Sequence, residues 1–373
     1  MFNKKIILKK LDFVLILLMC TLISIGILAI SSATSFSEDL TPLIKQILFF
    51  FIGLILMIVT IFINYRKVGD YYGIIYIVIN FILLAVLIFG VSNKGATRWI
   101  NLGFIEIQPS EFAKIAMIFC TAKIISLKNE KINSIISIGK IFLFQFVPFI
   151  LINIQPNLST SIVILTLLVV QLFASNLKLK YIFSATIIGL VIIFIGIGYI
   201  IKNPNQEIIN GYQRDRIVAA VTDGNSQNGS YQTNRSIDAI GSGGLYGKGI
   251  YKGAISQLNY LPESHNDFIV ATIAEEFGFY GVIILLSIII LFIARGLYLA
   301  NNITDDFGKL IIVGYIGMIA AQSFINLGVV TGLLPNTGLT LPFVSYGGSS
   351  LWANMIGMGL VLSVGLNRED TMF

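Results

Sequence analysis

The stretch LPESHNDFIVATIAEEFGFYG, residues 261–281, puts Glu263, His265, Asp267, Glu275 and Glu276 within fourteen positions and then runs into VIILLSIIILFIA. A carboxylate at such a boundary has two uses. As a helix cap it accepts backbone N–H groups, which lowers its pKa. In a partly dry cleft its pKa rises toward the range of a general base. Asp267, near the start of the apolar run, fits both descriptions. Glu276, nine residues on, would stand roughly 13 Å deeper along a helix. His265 is the only histidine of the chain.

Other polar groups stand at comparable boundaries. In NKGATRWINLGFIEIQPSEFAK, Arg98 and Trp99 suit an interface, and Pro109 and Ser110 precede a helix whose first turn holds Glu111 and Lys114. The i, i+3 spacing puts those two side chains on one face, as an ion pair or as cavity groups. NIQPNLST is a short connection whose Asn157, Ser159 and Thr160 can cap the next helix. GSGGLYGKG, residues 241–249, could bring backbone close to a phosphate with Lys248 adding charge, but the P-loop pattern is absent. Spacing alone favours a flexible loop there. In LPFVSYGGSS, Ser345 and Tyr346 offer hydroxyls to a ligand.

These groups need elements to position them, and the composition says which kind. With 56% hydrophobic and only 12% charged residues and a mean hydropathy of +0.87, the 373-residue chain falls outside the soluble range. The pattern predicts an all-α polytopic membrane protein with ten helices, near 11–30, 43–63, 71–91, 111–126, 137–153, 158–175, 181–201, 267–293, 310–330 and 350–366. It reads as one integral membrane domain over 1–373, with 202–266 as a long extracytoplasmic loop between the seventh and eighth spans. The apolar stretch after Lys4, Lys5, Lys9 and Lys10 is longer than a signal h-region, so it is expected to remain as an uncleaved first span.

The net charge of +6 comes from basic residues dispersed between apolar blocks, which argues for topology and against nucleic-acid binding. Fifteen basic residues fall in the segments on the N-terminal side and four in the short opposite ones, which predicts that both termini are cytoplasmic. Nearly all the unusual polar stretches then lie on the outer face. Cys20 and Cys120 sit in apolar runs and suit packing, not a disulfide or a thiolate metal site.

Taken together, RWINLGFIEIQPSEFAK, QPNLST, AIGSGGLYGKG, LPESHNDFIVATIAEEFGF and GLLPNTGLTLPFVSYGGSS resemble, in order, the signature blocks of the SEDS family, the RodA and FtsW glycosyltransferases of bacterial cell-wall synthesis. AIGSGGLYGKG is more similar to the RodA, or elongation, branch and GLTLPF to the FtsW, or septal, side. The resemblance implies a peptidoglycan polymerase that joins lipid II at the outer face of the bacterial cytoplasmic membrane beside a class B penicillin-binding protein. It assigns the essential acid to Asp267. Arg98, Glu111 and Lys114 match a polar set in the family's central cavity; Lys248, Glu263 and His265 match the long outer loop, and Ser345 the last block. Asn157 stands where the family commonly has aspartate, Asn266 where it has threonine, and Arg235 where glutamine is common.

The chemistry so implied is attack of a GlcNAc 4-hydroxyl on the anomeric carbon of MurNAc, with Asp267 as base and undecaprenyl pyrophosphate leaving. The leaving group's charge calls for cations, with Arg98, Lys114 and Lys248 as candidates, or for a divalent metal, Mg2+ or Mn2+. Ten helices with intramembrane charges also suit a lipid flippase or transporter, but no paired, interrupted helices are visible in the sequence. A noncatalytic scaffold would leave the acid cluster unexplained.

Overall fold

A computed structural model describes residues 10–35, 40–93, 96–101, 103, 105–128, 132–202, 229–258, 260–336 and 338–367. The long helices are α1 (Phe13–Ala33), α2 (Thr41–Phe62), α4 (Tyr72–Phe89), α5 (Pro109–Leu127), α6 (Ile135–Ile154), α7 (Leu158–Phe173), α8 (Leu179–Lys202), α11 (Ile269–Asn301), α12 (Asp306–Val330) and α13 (Gly348–Leu366), one at each predicted span. Shorter helices are α3 (Tyr65–Gly69), α9 (Gly229–Gly243) and α10 (Ala254–Gln257). Among the described residues seven helices, α1, α2, α4, α6, α11, α12 and α13, are long and apolar enough to cross a membrane. The protein is a multi-pass α-helical membrane protein.

The helices are arranged by how much polar cargo each carries. α5, α12 and α13 are buried along most of their length and form the centre with α7. α4 lies at the periphery and turns Ile77, Phe81 and Ile88 outward, the surface lipid would cover. α13 packs along α2, and α11 lies against α12, α9 and α1.

The two ends of the bundle are built differently. At the end where α1, α11 and α13 meet the chain's N-terminal side, acids cap helices and pair with cations. Asp12 accepts from Leu15 N at 3.1 Å and from Arg295 Nε at 2.9 Å. Asp305 caps α12 through Gly308 N at 2.9 Å and accepts from Tyr65 Oη at 2.9 Å. Burial pushes the Tyr65 hydroxyl up to about 12, so it stays a donor. Lys123 reaches Asp70 at 3.2 Å. The opposite end gathers the polar signature stretches.

Three features differ from the sequence expectation. The segment after α4 is not a plain interfacial stretch but a small antiparallel sheet, β1 (Val91–Asn93), β2 (Ala96–Asn101) and β3 (Glu106–Ile107), in that order. Trp99 is paired opposite Val91, and Ile100 opposite Ile107. The expected loop 202–266 is in good part structured: α9 buries Ser236, Ala239 and Gly243, spaced i, i+3, i+7, against its neighbours. Residues 203–228 of that loop lie outside the described residues. Finally, α11 begins at Ile269 and is interrupted at Gly278, whose φ of 66° and ψ of −162° are not helical.

Candidate active site

The break at Gly278 explains the glycine-rich stretch. Interrupting a helix strands backbone donors and acceptors, which cannot be left bare at membrane depth. Residues 243–249 lie alongside and take them up. The carbonyls of Glu275 and Glu276 accept from Lys248 N at 3.0 Å and Gly249 N at 2.9 Å. The amides of Phe279 and Tyr280 donate to the carbonyls of Gly244 at 2.9 Å and Leu245 at 3.3 Å. Backbone meets backbone so closely that a Cβ on Gly247 would lie 2.1 Å from the Glu276 carbonyl oxygen. Hence GSGGLYGKG is neither a flexible loop nor a phosphate cradle. It is a splint on the kinked helix.

Glu275 locks the splint in place. Its side chain is fully buried and accepts from Lys248 Nζ at 2.8 Å, Ile255 N at 3.0 Å, Ser256 N at 3.0 Å and Ser256 Oγ at 2.8 Å. Lys248, expected near the substrate, is therefore an arm of this clamp and not a lining residue of the cavity. Glu276 is buried beside it and accepts from Ser32 Oγ at the end of α1. Both acids are buried inside the protein and neither projects into lipid.

The acids upstream have another setting. A cavity of about 290 Å³ opens at the same end of the bundle. Its walls come from β2 (Arg98, Trp99), the start of α5 (Gln108, Glu111), the start of α7 (Asn157, Thr160), Gln232 of α9, the loop before α11 (Glu263, Asn266, Asp267) and the segment entering α13 (Gly338–Thr340, Tyr346, Gly347, Ser349, Ser350). Phe268 occupies the capping position of α11, so Asp267 stands one residue ahead of the cap. Glu263 adopts a left-handed φ of 60° in the turn that precedes it, and its carbonyl accepts from Asn266 N at 3.0 Å.

Each wall is pinned by groups behind it. Glu111 and Lys114 form a buried pair, with Nζ at 2.9 and 2.8 Å from the two carboxylate oxygens, and Lys114 is only 1% exposed. Lys114 thus sits behind Glu111, outside the lining. Arg98 donates to the carbonyls of Gln155 and Pro156, tying the sheet to the α6–α7 corner. Asn157 caps α7 through Thr160 N at 3.4 Å and donates to Ser110 Oγ at 3.2 Å, so an amide serves the capping geometry without a charge.

His265 and Ser345 are also placed behind the surface. The His265 ring meets Tyr346 edge-on at 5.4 Å, and its carbonyl accepts from Tyr346 N at 3.0 Å. Ser345 Oγ accepts from Leu341 N at 2.8 Å, which closes the turn before α13. The cavity therefore brings together Arg98, Glu111, Glu263 and Asp267 and leaves Lys114, Lys248, His265 and Ser345 as second-row or remote groups. Sequence reading missed Gln108, Gln232 and Thr340; amides and hydroxyls are common in loops and carry no spacing signal.

Such a lining mixes three carboxylates and one guanidinium with amides, hydroxyls and two aromatic rings. Polyhydroxylated ligands are bound by that kind of surface. The N-termini of α5, α7 and α13 also converge on it, so their amide dipoles favour an anion within reach. Among the described residues no group of three or more His, Cys, Asp or Glu side chains is placed to hold a metal ion.

Residues 8–370 match the model of the FtsW, RodA and SpoVE family, described as cell cycle proteins. The chain belongs to this family. It is 37% identical over 370 residues to the peptidoglycan glycosyltransferase MrdB of Escherichia coli K12, covering 98% of this chain and 97% of that protein. Among solved structures, a chain from work on the coordination of polymerization and crosslinking by a peptidoglycan synthase complex superposes with a TM-score of 0.81 at 28% identity, covering 96% of this chain and 99% of that one. The rod shape determining protein RodA of Thermus thermophilus gives a TM-score of 0.71 at 27% identity over 96% and 97% of the two chains. The FtsW, RodA and SpoVE fold thus extends over nearly the whole chain.

Proposed function

We infer that this chain is a peptidoglycan glycosyltransferase that polymerises lipid II into β-1,4 glycan strands at the outer face of the bacterial cytoplasmic membrane, with both termini in the cytoplasm. The observation that carries the reading is the position of Asp267 in the wall of a polar cavity at one end of the bundle, beside Arg98, Glu111 and Glu263. Full-length similarity to a named peptidoglycan glycosyltransferase supports the reaction class.

In the proposed step the GlcNAc 4-hydroxyl of one lipid II attacks the anomeric carbon of the MurNAc at the end of the growing chain. Asp267 takes the hydroxyl proton as the new C–O bond forms. The bond to undecaprenyl pyrophosphate breaks with inversion, and the leaving group carries away the electron pair. A positioned base is worth roughly 10² to 10⁴ in rate. Arg98 and the N-termini of α5, α7 and α13 face the developing pyrophosphate charge, while amides and hydroxyls orient the sugars. The outward apolar faces of the bundle border the lipid in which the polyprenyl tails run.

A class B penicillin-binding protein is the proposed partner, in line with the coupling of polymerization and crosslinking in the similar complex. Elongation is the favoured branch, given the likeness to MrdB and to a rod shape determining protein; septal synthesis is the alternative.

Lipid transport is the second reading, because α11 is interrupted as transporter helices are. Here, however, the break is sealed by residues 244–249 and does not line the cavity. Purified protein with its partner and labelled lipid II decides between them. Glycan strands should form with the wild type and not with Asp267→Ala at equal folded yield. A wild type that only moves lipid II across a bilayer would make transport the function.

A further inference from the structure

The irregular segments 263–267 and 338–347 form facing parts of the cavity wall, and neither has a regular hydrogen-bond ladder to hold it. One side chain bridges them. Asn326, on α12 and 1% exposed, donates from Nδ2 to the Asp267 carbonyl at 2.8 Å and to the Leu339 carbonyl at 2.7 Å. Both amide protons are therefore spent on the backbone of the two segments.

The first of these bonds acts where α11 leaves a carbonyl unused. Asp267 precedes the capping residue Phe268, so its carbonyl lies ahead of the first acceptor of α11, and Ala271 N bonds to the Phe268 carbonyl at 2.9 Å. The peptide plane that follows Asp267 is consequently fixed from outside its own helix. That plane sets ψ of Asp267 and so the direction of its Cα–Cβ bond relative to α11. The second bond ties the same amide to Leu339, a lining residue next to Thr340, whose Oγ1 lies 3.1 Å from Ser350 Oγ. A separate link, Tyr346 N to the His265 carbonyl at 3.0 Å, joins the same two segments but does not touch Asp267.

We propose that Asn326 is a positioning residue for the reaction: its amide clips the Asp267 peptide to the Leu339 segment and holds the base at a fixed place in the cavity wall. The inference rests on the reading of Asp267 as the base. Asn326 itself does not line the cavity. Asparagine is the suitable residue because two carbonyls need two donors from one short, uncharged side chain. Leucine has the same bulk and no donor; aspartate has the same shape and turns oxygens toward both carbonyls.

The test uses the full chain with its partner and labelled lipid II, comparing wild type, Asn326→Leu, Asn326→Asp and Asp267→Ala, each with its thermal unfolding midpoint. Displacement of a reacting group by about 1 Å costs roughly 10²-fold. Turnover at saturating lipid II is therefore expected to fall between about 10- and 100-fold for both Asn326 variants, with KM within about threefold and unfolding midpoints within a few degrees. Combined with Asp267→Ala, the Asn326 change should add no further loss to whatever residual rate remains, because it acts through that group.

Wild-type turnover in both folded Asn326 variants, with Asp267→Ala inactive, overturns the inference and leaves the base assignment standing. A loss expressed in KM alone, or one matched by an equal loss of folded protein, overturns it as well. If Asp267→Ala polymerises at the wild-type rate, the base assignment fails and this inference falls with it.

Discussion

Glu275 and Asp267 come from one short stretch and meet opposite surroundings. The Glu275 carboxylate has no exposure and accepts four hydrogen bonds from Lys248, Ile255 and Ser256. Asp267 stands in the wall of a cavity large enough for a sugar ring, with its carbonyl held by Asn326 and its residue one place ahead of the α11 cap. A carboxylate whose lone pairs are all engaged stabilises the fold and has no capacity left to accept a proton in a reaction. Residue type is thus a poor guide to role at this boundary, and placement in the cavity wall or away from it is a better one. The clamp also serves the cavity, since the half-helix it splints is the one that follows Asp267.

Substitutions at the clamp should register in stability before activity. Glu275→Ala leaves the partly exposed Lys248 ammonium and two amides without their acceptor, and each buried group left unpaired costs roughly 1–3 kcal/mol. The expected outcome is a markedly lower unfolding midpoint in detergent, with polymerisation falling only as folded protein falls. A stable Glu275→Ala variant that is nonetheless inactive would break the distinction between the two acids.

Lys114→Met strands the Glu111 charge in the cavity wall and is expected to cost roughly 3 kcal/mol at most. Glu111 reaches the cavity surface, so in this case turnover should fall as well as the midpoint. A Lys114→Met,Glu111→Gln double variant should recover much of the stability, because no uncompensated charge remains.

Gly247→Ala sets a methyl group against the Glu276 carbonyl at a residue with φ of 79°, and backbone strain of that kind costs about 1–3 kcal/mol. Protection of the Phe279 and Tyr280 amides from hydrogen exchange should drop in this variant. Equal protection would mean that the splint is not what holds the break.

The smallest effect is expected at Arg235. Its guanidinium pairs with Asp238 at 3.3 Å on the exposed face of α9 and lies over the Tyr231 ring. Arg235→Gln should leave both midpoint and turnover at the wild-type values.

Much of this architecture is legible in the sequence, for identifiable reasons. Apolar runs announce all ten long helices, seven of them long and apolar enough to cross a membrane among the described residues, because hydrocarbon permits few other conformations. The Glu111–Lys114 pair follows from i, i+3 spacing, and the cap of α7 from Asn157 before Leu158. The splint was hidden because it is backbone pairing between residues 243–249 and 275–280, and the residue types reveal only that glycine is abundant. Reading that abundance as flexibility reverses its meaning: the glycines allow contact too close for a Cβ. The stripe Ser236, Ala239, Gly243 was a usable signal of a packed helix within the supposed loop. Asn326 gives no such signal, since a lone asparagine in an apolar run becomes meaningful only when its two acceptors are located.

Side-by-side polymerisation of lipid II by Asp267→Asn and Glu275→Gln, each normalised to folded protein, tests the central claim most directly. Both changes remove one charge with almost no change in shape. The account predicts that Asp267→Asn loses roughly 10²-fold or more in turnover at an unchanged unfolding midpoint, while Glu275→Gln keeps turnover per folded molecule and loses stability. Normal glycan synthesis by Asp267→Asn would contradict it.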